Sequence, residues 1–404
     1  MTKQITGSNR DTCEDTIYKT NSSNHGGDVY SAEDELGIDR SKLLDFSANI
    51  MPAEIDDRIK NSIIAALDNC RYYPDPQQRR LRQALAAHHK LRPEQIACGN
   101  GAADLIYRTV HALKPVRAYL PVPSFSEYER ALRETCCKIN YWQLNPENGF
   151  QIENSMLDWL SEQEQADSSE GATDDHGASL LILCQPNNPT GLLIEPTILA
   201  KVIERCAELG IYLLIDECFL DFLKPAEAEL YSSMDKLRLV TSGDSGPKLM
   251  LLRSMTKYYS LPGLRAGYLC TTTELAAKIL ASGQPWSVGT LTEAAVLAII
   301  NRDQEAQNNQ ARQVAQWLAA EKPLLEQALR ECGFDVWSSA ANYIFFRAVN
   351  YPDLDINLRK QGIIIRSCSN YVGLDQTYFR IAVLSPGENF QFILALKEIC
   401  ALSY

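Results

Sequence analysis

Two short apolar runs that end in polar residues restrict the fold of this chain more than any other feature. Residues 180–184 (LLILC) are followed directly by the tight-turn sequence QPNNPTG at residues 185–191. Residues 211–215 (IYLLI) are followed directly by Asp216. Such runs are typical of buried strands. Ligands of open parallel sheets bind at the carboxyl ends of the strands, so Asn188 and Asp216 become candidate site residues.

Further strands and helices alternate along most of the chain, which predicts an α/β fold with a mainly parallel sheet. Apolar residues at helical spacing predict helices over residues 56–69 and 81–89. Further strands are predicted at residues 96–98, 118–122, 249–253, 268–270, 343–346 and 363–365.

Composition excludes several classes of protein. The net charge of −12 argues against nonspecific binding to nucleic acid, and an anionic substrate would need local arginines. No apolar stretch approaches the roughly 20 residues that span a bilayer, and the polar N-terminus lacks a signal sequence, so we expect a cytoplasmic protein without membrane contact. The 12 cysteines are scattered without a C-x-x-C pair, and no metal site is predicted.

Residues 254–267 (SMTKYYSLPGLRAG) combine a lysine with hydroxyl groups and an arginine. Lys257 could supply the amine for a Schiff base to an aldehyde cofactor. Ser254 and Arg265 could bind the phosphate of the same cofactor, which makes pyridoxal 5'-phosphate the expected group. The motif is short, and a surface loop with a solvated lysine and arginine could have the same sequence.

Other residues complete a site for this cofactor. Asp216 could keep the nitrogen of the pyridine ring protonated, and Asn188 could donate to the phenolic oxygen of the ring. Residues 96–104 read as a strand that breaks at a glycine turn and opens a helix. Free N–H groups at such a helix start bind anions, so Gly101 and Ala102 are predicted to contact the cofactor phosphate.

The order of these motifs resembles that of the fold-type I pyridoxal-phosphate enzymes, the aspartate aminotransferase superfamily, from about residue 25 to the C-terminus. The resemblance implies an aspartate aminotransferase-like fold and a homodimer with shared active sites. It implies that Phe125 stacks on the cofactor ring. It also implies that Tyr73 contacts the cofactor phosphate of the partner subunit.

Within this superfamily, residues 25–30, 44–50 and 365–371 resemble the threonine-phosphate decarboxylases of cobalamin biosynthesis, and histidinol-phosphate aminotransferases are close relatives. The resemblance implies decarboxylation of L-threonine O-3-phosphate. Arg380 would bind the substrate carboxylate, while His25, Asn49 and Arg366 would bind its phosphate, and Asn188 would also contact the substrate. Decarboxylation of L-serine O-phosphate and the histidinol-phosphate aminotransferase reaction remain alternatives.

One residue departs from the aminotransferase pattern. Many aminotransferases have a tyrosine three residues after the aspartate, where it binds the phenolic oxygen of the cofactor, but this chain has Phe219. This departure favours the decarboxylase.

The resemblance and the length of 404 residues predict a large and a small domain. Residues 1–24 are expected to be a disordered or loosely packed extension, and residues 25–70 a segment contributing to the small domain and the active site. Residues 71–320 would form the large cofactor-binding domain and residues 321–404 the small C-terminal domain.

Overall fold

The computed structural model describes residues 26–169, 177–239 and 248–401. The predictions for the N-terminal extension and for His25 therefore lie outside the described residues. The strands are β1 (Leu44–Asp45), β2 (Ile96–Asn100), β3 (Arg117–Val122), β4 (Lys138–Gln143), β5 (Ser179–Cys184), β6 (Tyr212–Asp216), β7 (Leu249–Ser254), β8 (Ala266–Cys270), β9 (Asp335–Trp337), β10 (Tyr343–Arg347), β11 (Ile363–Ile364), β12 (Arg366–Ser367) and β13 (Tyr378–Ala382).

The helices lie between these strands and at both ends of the described chain. They are α1 (Val29–Leu36), α2 (Asp57–Ala66), α3 (Arg79–His89), α4 (Gly101–Leu113), α5 (Ser126–Arg133), α6 (Ser155–Ser169), α7 (Pro196–Leu209), α8 (Pro225–Tyr231), α9 (Met234–Leu239), α10 (Thr273–Ala281), α11 (Thr290–Ile300), α12 (Gln304–Glu331), α13 (Leu354–Arg359) and α14 (Pro386–Ala401).

A central sheet has the strand order β2-β8-β7-β6-β5-β3-β4. Its strands pair in parallel, except that β8 runs antiparallel to both β2 and β7. The two apolar runs form β5 and β6, and alternate residues of β5 pack into different cores: Leu180 and Ile182 into one, Leu181 and Leu183 into the other. Burial on both faces explains why the strand sequence is continuously apolar.

A second sheet of four antiparallel strands has the order β12-β13-β10-β9. Strand β1 pairs in parallel with β11, which brings residues 44–45 beside residues 363–364. Helix α12 runs from Gln304 to Glu331, across the predicted domain boundary at residues 320 and 321. The predicted domain division stays a prediction.

The predicted α/β class is confirmed by the mixed, mostly parallel central sheet with helices between its strands. Among the described helices, none combines the length and the apolar character that crossing a membrane would require.

Candidate active site

A cavity of about 250 Å³ lies where strands β5, β6 and β7 end. This is the edge of a parallel sheet at which ligands bind in α/β proteins. The second sheet contributes residues from β12 and β13 to the same cavity. The predicted site residues that line it are Asn49, Ala102, Phe125, Asn188, Asp216, Ser254, Lys257, Arg265, Arg366 and Arg380.

Asp216 is the last residue of β6, and its side chain is almost completely buried. The hydroxyl of Tyr128 donates to Asp216 Oδ2 at 2.7 Å, and the backbone N–H of Cys218 donates to Oδ1 at 2.9 Å. Both donors are neutral, so neither supplies a positive charge to the buried carboxylate. A protonated ring nitrogen in the cavity would do so.

Lys257 lies on the connection between β7 and β8. Its carbonyl accepts a hydrogen bond from the backbone N–H of Met51 at 3.1 Å, which fixes the loop against the N-terminal segment. Its Nζ lies 4.9 Å from the ring centroid of Phe219, the residue that replaces the expected tyrosine. The amine therefore faces the cavity beside an aromatic face that carries no hydroxyl group.

The start of α4 forms a cradle with the guanidinium of Arg265. A Cβ atom at Gly101 would lie 2.7 Å from Arg265 Nη2, and Gly101 has a φ of +86°, a backbone conformation that favours glycine. Ser254 and Thr256 line the same cavity, with their hydroxyl oxygens 2.8 Å apart. Helix N–H groups, hydroxyls and a guanidinium form a donor set that fits a phosphate monoester. Gly101 itself borders this cradle and is not part of the cavity lining.

Arg366 and Arg380 are register partners across β12 and β13. Directly opposite residues on adjacent strands point to the same face, where like charges repel. Arg380 donates to Asn188 Oδ1 at 2.5 Å and to the carbonyl of Ser47 at 2.8 Å. Arg366 donates to Asn370 at 2.7 Å. Two buried guanidinium groups side by side favour a ligand with more than one negative charge.

Tyr73 is 82% exposed and does not line the cavity of its own chain. Its ring packs on Trp286 at a centroid distance of 4.8 Å. Its predicted contact with the cofactor of a partner subunit stays a prediction.

Sequence reasoning missed several residues of the cavity wall, among them Tyr128, Thr256 and Tyr371. Tyr128 follows Phe125 by three residues at the start of a helix, and this i,i+3 spacing could have placed both on one face. Cys184 and Cys218 also line the cavity, and burial raises the pKa of both thiols. Protonated, buried thiols are expected to be poor nucleophiles.

A buried ion pair adjoins the site. Arg253 Nη2 lies 2.6 Å from Glu217 Oε2, and Glu217 is completely buried. Glu217 also accepts the backbone N–H of Ser233 at 2.8 Å. The pair adjoins two site residues, because Glu217 follows Asp216 and Arg253 precedes Ser254.

Arg253→Met should lower the free energy of unfolding by about 3–5 kcal/mol, because it leaves the Glu217 carboxylate buried without a counter-charge. Denaturant unfolding of the two proteins measures this change. Arg133→Met is a matched control, since the Arg133–Glu129 pair has the same 2.6 Å separation but is largely exposed at the arginine, and we expect about 0–1 kcal/mol there. If both substitutions lower the free energy of unfolding by the same amount, burial of the ion pair does not increase its contribution to stability.

The chain is similar to known proteins over most of its length. Residues 41–396 match the family described as aminotransferase class I and II. The threonine-phosphate decarboxylase of Salmonella typhimurium is 37% identical over 93% of this chain and 96% of its own length. An adenosylcobalamin biosynthesis bifunctional protein of Leptospira interrogans is 27% identical over 93% of this chain and 41% of its own length.

The solved structure of histidinol-phosphate aminotransferase from Clostridium acetobutylicum has a TM-score of 0.75 and 28% identity, and the match covers 89% of this chain and 99% of that one. The chain belongs to the class I and II aminotransferase family. This membership confirms the predicted aspartate aminotransferase-like fold and the pyridoxal 5'-phosphate cofactor.

Proposed function

We propose that this protein decarboxylates L-threonine O-3-phosphate to (R)-1-amino-2-propanol O-2-phosphate, for the assembly of cobalamin. The observation that carries the proposal is the cross-strand pair of Arg366 and Arg380 in one cavity with Lys257 and Asp216. A phosphoamino acid has two anionic groups at its two ends, and a pair of guanidiniums matches them.

In this proposal, one set of residues binds the cofactor. Gly101, Ala102, Ser254 and Arg265 bind the cofactor phosphate. Phe125 would pack against the ring, and Asp216 would lie at the ring nitrogen. The bound cofactor withdraws electrons from the bond that breaks at the substrate's alpha carbon.

Substrate binding uses both arginines. Arg380 binds the carboxylate, while Arg366, Asn49 and His25 bind the phosphate, and Asn188 contacts both substrate and cofactor. Holding the substrate at both ends would restrict its rotation and present the Cα–COO⁻ bond for cleavage. Carbon dioxide leaves without the electron pair of the broken bond, and Lys257 Nζ donates a proton to Cα in its place.

Phe219 favours decarboxylation over transamination. Its ring stands beside the amine of Lys257 and offers no hydroxyl to the phenolic oxygen of the cofactor. The hydroxyl of Tyr343, a nearby tyrosine, donates to the carbonyl of Asn187 at 2.7 Å. The hydrogen bond that many aminotransferases make to this oxygen is therefore missing at residue 219.

The active protein is a cytoplasmic homodimer in this proposal. Tyr73 and Trp286 are exposed side chains of the single chain, and Tyr72 beside them is 62% exposed. A second copy of the chain would cover this aromatic surface and bring Tyr73 to the partner's cofactor phosphate.

An assay of the purified protein with phosphoamino acids tests the function. With L-threonine O-3-phosphate we expect equal amounts of carbon dioxide and amino-alcohol phosphate without any added 2-oxo acid. L-threonine should lose roughly 10²-fold or more in kcat/KM, because phosphate binding remote from the reacting bond contributes to the rate. L-serine O-phosphate is the comparison substrate, since it differs by one methyl group. A strict need for 2-oxoglutarate, with glutamate as product, would establish the aminotransferase instead.

A further inference from the structure

Asp216 accepts a hydrogen bond from a residue that neither the motifs nor the proposed roles include. The hydroxyl of Tyr128 lies 2.7 Å from Asp216 Oδ2, and Tyr128 is completely buried. The other oxygen of Asp216 accepts the N–H of Cys218 at 2.9 Å, which fixes it to the backbone. Together the two donors determine the orientation of the carboxylate plane.

We propose that Tyr128 is a positioning residue for the reaction, which acts by holding the Asp216 carboxylate toward the ring nitrogen of the cofactor. The inference rests on the proposed function for the identity of the substrate and for the place of Asp216 at the ring nitrogen. It concerns a residue of the chain that acts through Asp216, without a direct part in bond breaking.

Tyr128 also contacts the aromatic residue of the site. Its ring meets that of Phe125 edge to face, with centroids 5.5 Å apart and an interplanar angle of 87°. Both residues lie at the start of α5, Phe125 as the residue before the helix and Tyr128 in its first turn. One short helix therefore connects the side chain expected at the ring face with the acid expected at the ring nitrogen.

The hydrogen bond is suited to this task. Burial raises the pKa of Tyr128 well above its usual value, and the neighbouring Asp216 raises it further, so Tyr128 keeps its proton and remains a donor. Hydrogen bonds to a charged acceptor are stronger than neutral ones, and a buried site shields them from water. Loss of the hydroxyl would free one oxygen of Asp216 to turn away from the ring nitrogen.

The test compares two tyrosine-to-phenylalanine variants of the holoenzyme. Tyr119 is the matched control because it is also completely buried and donates to a carboxylate, Glu164 Oε1, at 2.8 Å, but does not line the cavity. Tyr128→Phe should lower kcat by about 10- to 100-fold, the effect of losing a hydrogen bond to a charged group. KM should stay within about twofold, because the substrate contacts are unchanged. Tyr119→Phe should leave kcat within about twofold.

Two readouts separate positioning from a structural effect. The dissociation constant of pyridoxal phosphate, measured by equilibrium dialysis without substrate, should rise in Tyr128→Phe and not in Tyr119→Phe. In an Asp216→Asn background, Tyr128→Phe should change kcat by less than about twofold, because the two residues act as one unit. The inference would be overturned if Tyr128→Phe lowered kcat by the same factor in the Asp216→Asn background as in the wild type. It would also be overturned by a Tyr128→Phe enzyme with normal kcat and normal cofactor affinity.

If Tyr128→Phe fails to fold, 3,5-difluorotyrosine introduced at residue 128 tests the same bond. This side chain keeps the ring and the hydroxyl but donates more strongly, so cofactor affinity and kcat should both change, and unchanged values would overturn the inference. The dialysis measurement needs no substrate. A wild-type enzyme that fails to decarboxylate threonine phosphate would therefore refute the proposed function and leave the test of Tyr128 valid.

Discussion

Lys257→Ala is expected to abolish decarboxylation and covalent retention of the cofactor. The amine is the proposed point of attachment and the proposed proton donor to Cα. We expect turnover to fall by at least roughly 10⁴-fold, since covalent attachment and proton transfer are lost together. Turnover with threonine phosphate and the protein mass after borohydride reduction measure the two effects separately.

Lys248→Ala is the matched control for this experiment. Lys248 lies just before β7, the strand that leads to Lys257, but its Nζ packs 4.4 Å from the ring centroid of Tyr212 and donates to the carbonyl of Gly210. It does not line the cavity. We expect normal turnover and normal covalent retention. A Lys257→Ala enzyme that resembled this control would remove Lys257 from the mechanism.

The second large effect is expected at Asp216. Asp216→Ala should lower kcat by roughly 10²- to 10³-fold, because a preorganised charge opposite the ring nitrogen is lost. Cofactor affinity should also fall. Steady-state kinetics and equilibrium dialysis measure both changes. Asp221→Asn, a substitution five residues along the chain and outside the cavity, should leave kcat largely unchanged.

A modified cofactor makes the role of Asp216 specific. Pyridoxal phosphate methylated on the ring nitrogen carries a permanent positive charge, so it does not need an aspartate to hold a proton there. It should restore part of the turnover of Asp216→Ala. If it restores none, the loss comes from a disturbed structure and the proposed charge pairing is wrong.

Much of the fold was predictable because its signals are local. Neighbouring residues determine the apolar runs of β5 and β6 and the glycine turn that opens α4. In the structure, these features lie within a residue or two of the predicted positions. The antiparallel direction of β8 was not predicted. Strand direction depends on how a connection crosses the sheet, and the sequence of the strand itself does not encode it.

The site was predictable only in part, for a related reason. Asp216 and Lys257 stand in motifs, so sequence reasoning could name them. Tyr128 donates a hydrogen bond to Asp216, which lies 88 positions away in the sequence, and no short sequence motif indicates such a contact. The pairing of Arg366 with Arg380 depends on the register of two strands, which their sequence alone does not specify.

The hydrogen bonds of Arg380 have a consequence for how the protein reaches its active state. One joins Arg380 to Asn188, 192 positions earlier in the chain, and the other joins it to the carbonyl of Ser47, 333 positions earlier. Contacts at such separations cost more loop-closure entropy than local contacts do, so they tend to form later. Both bonds need Arg380, so the substrate-binding end of the cavity can be completed only after residue 380 of 404 has been made. A nascent or C-terminally truncated chain could form the central sheet and hold the cofactor before it could bind a substrate.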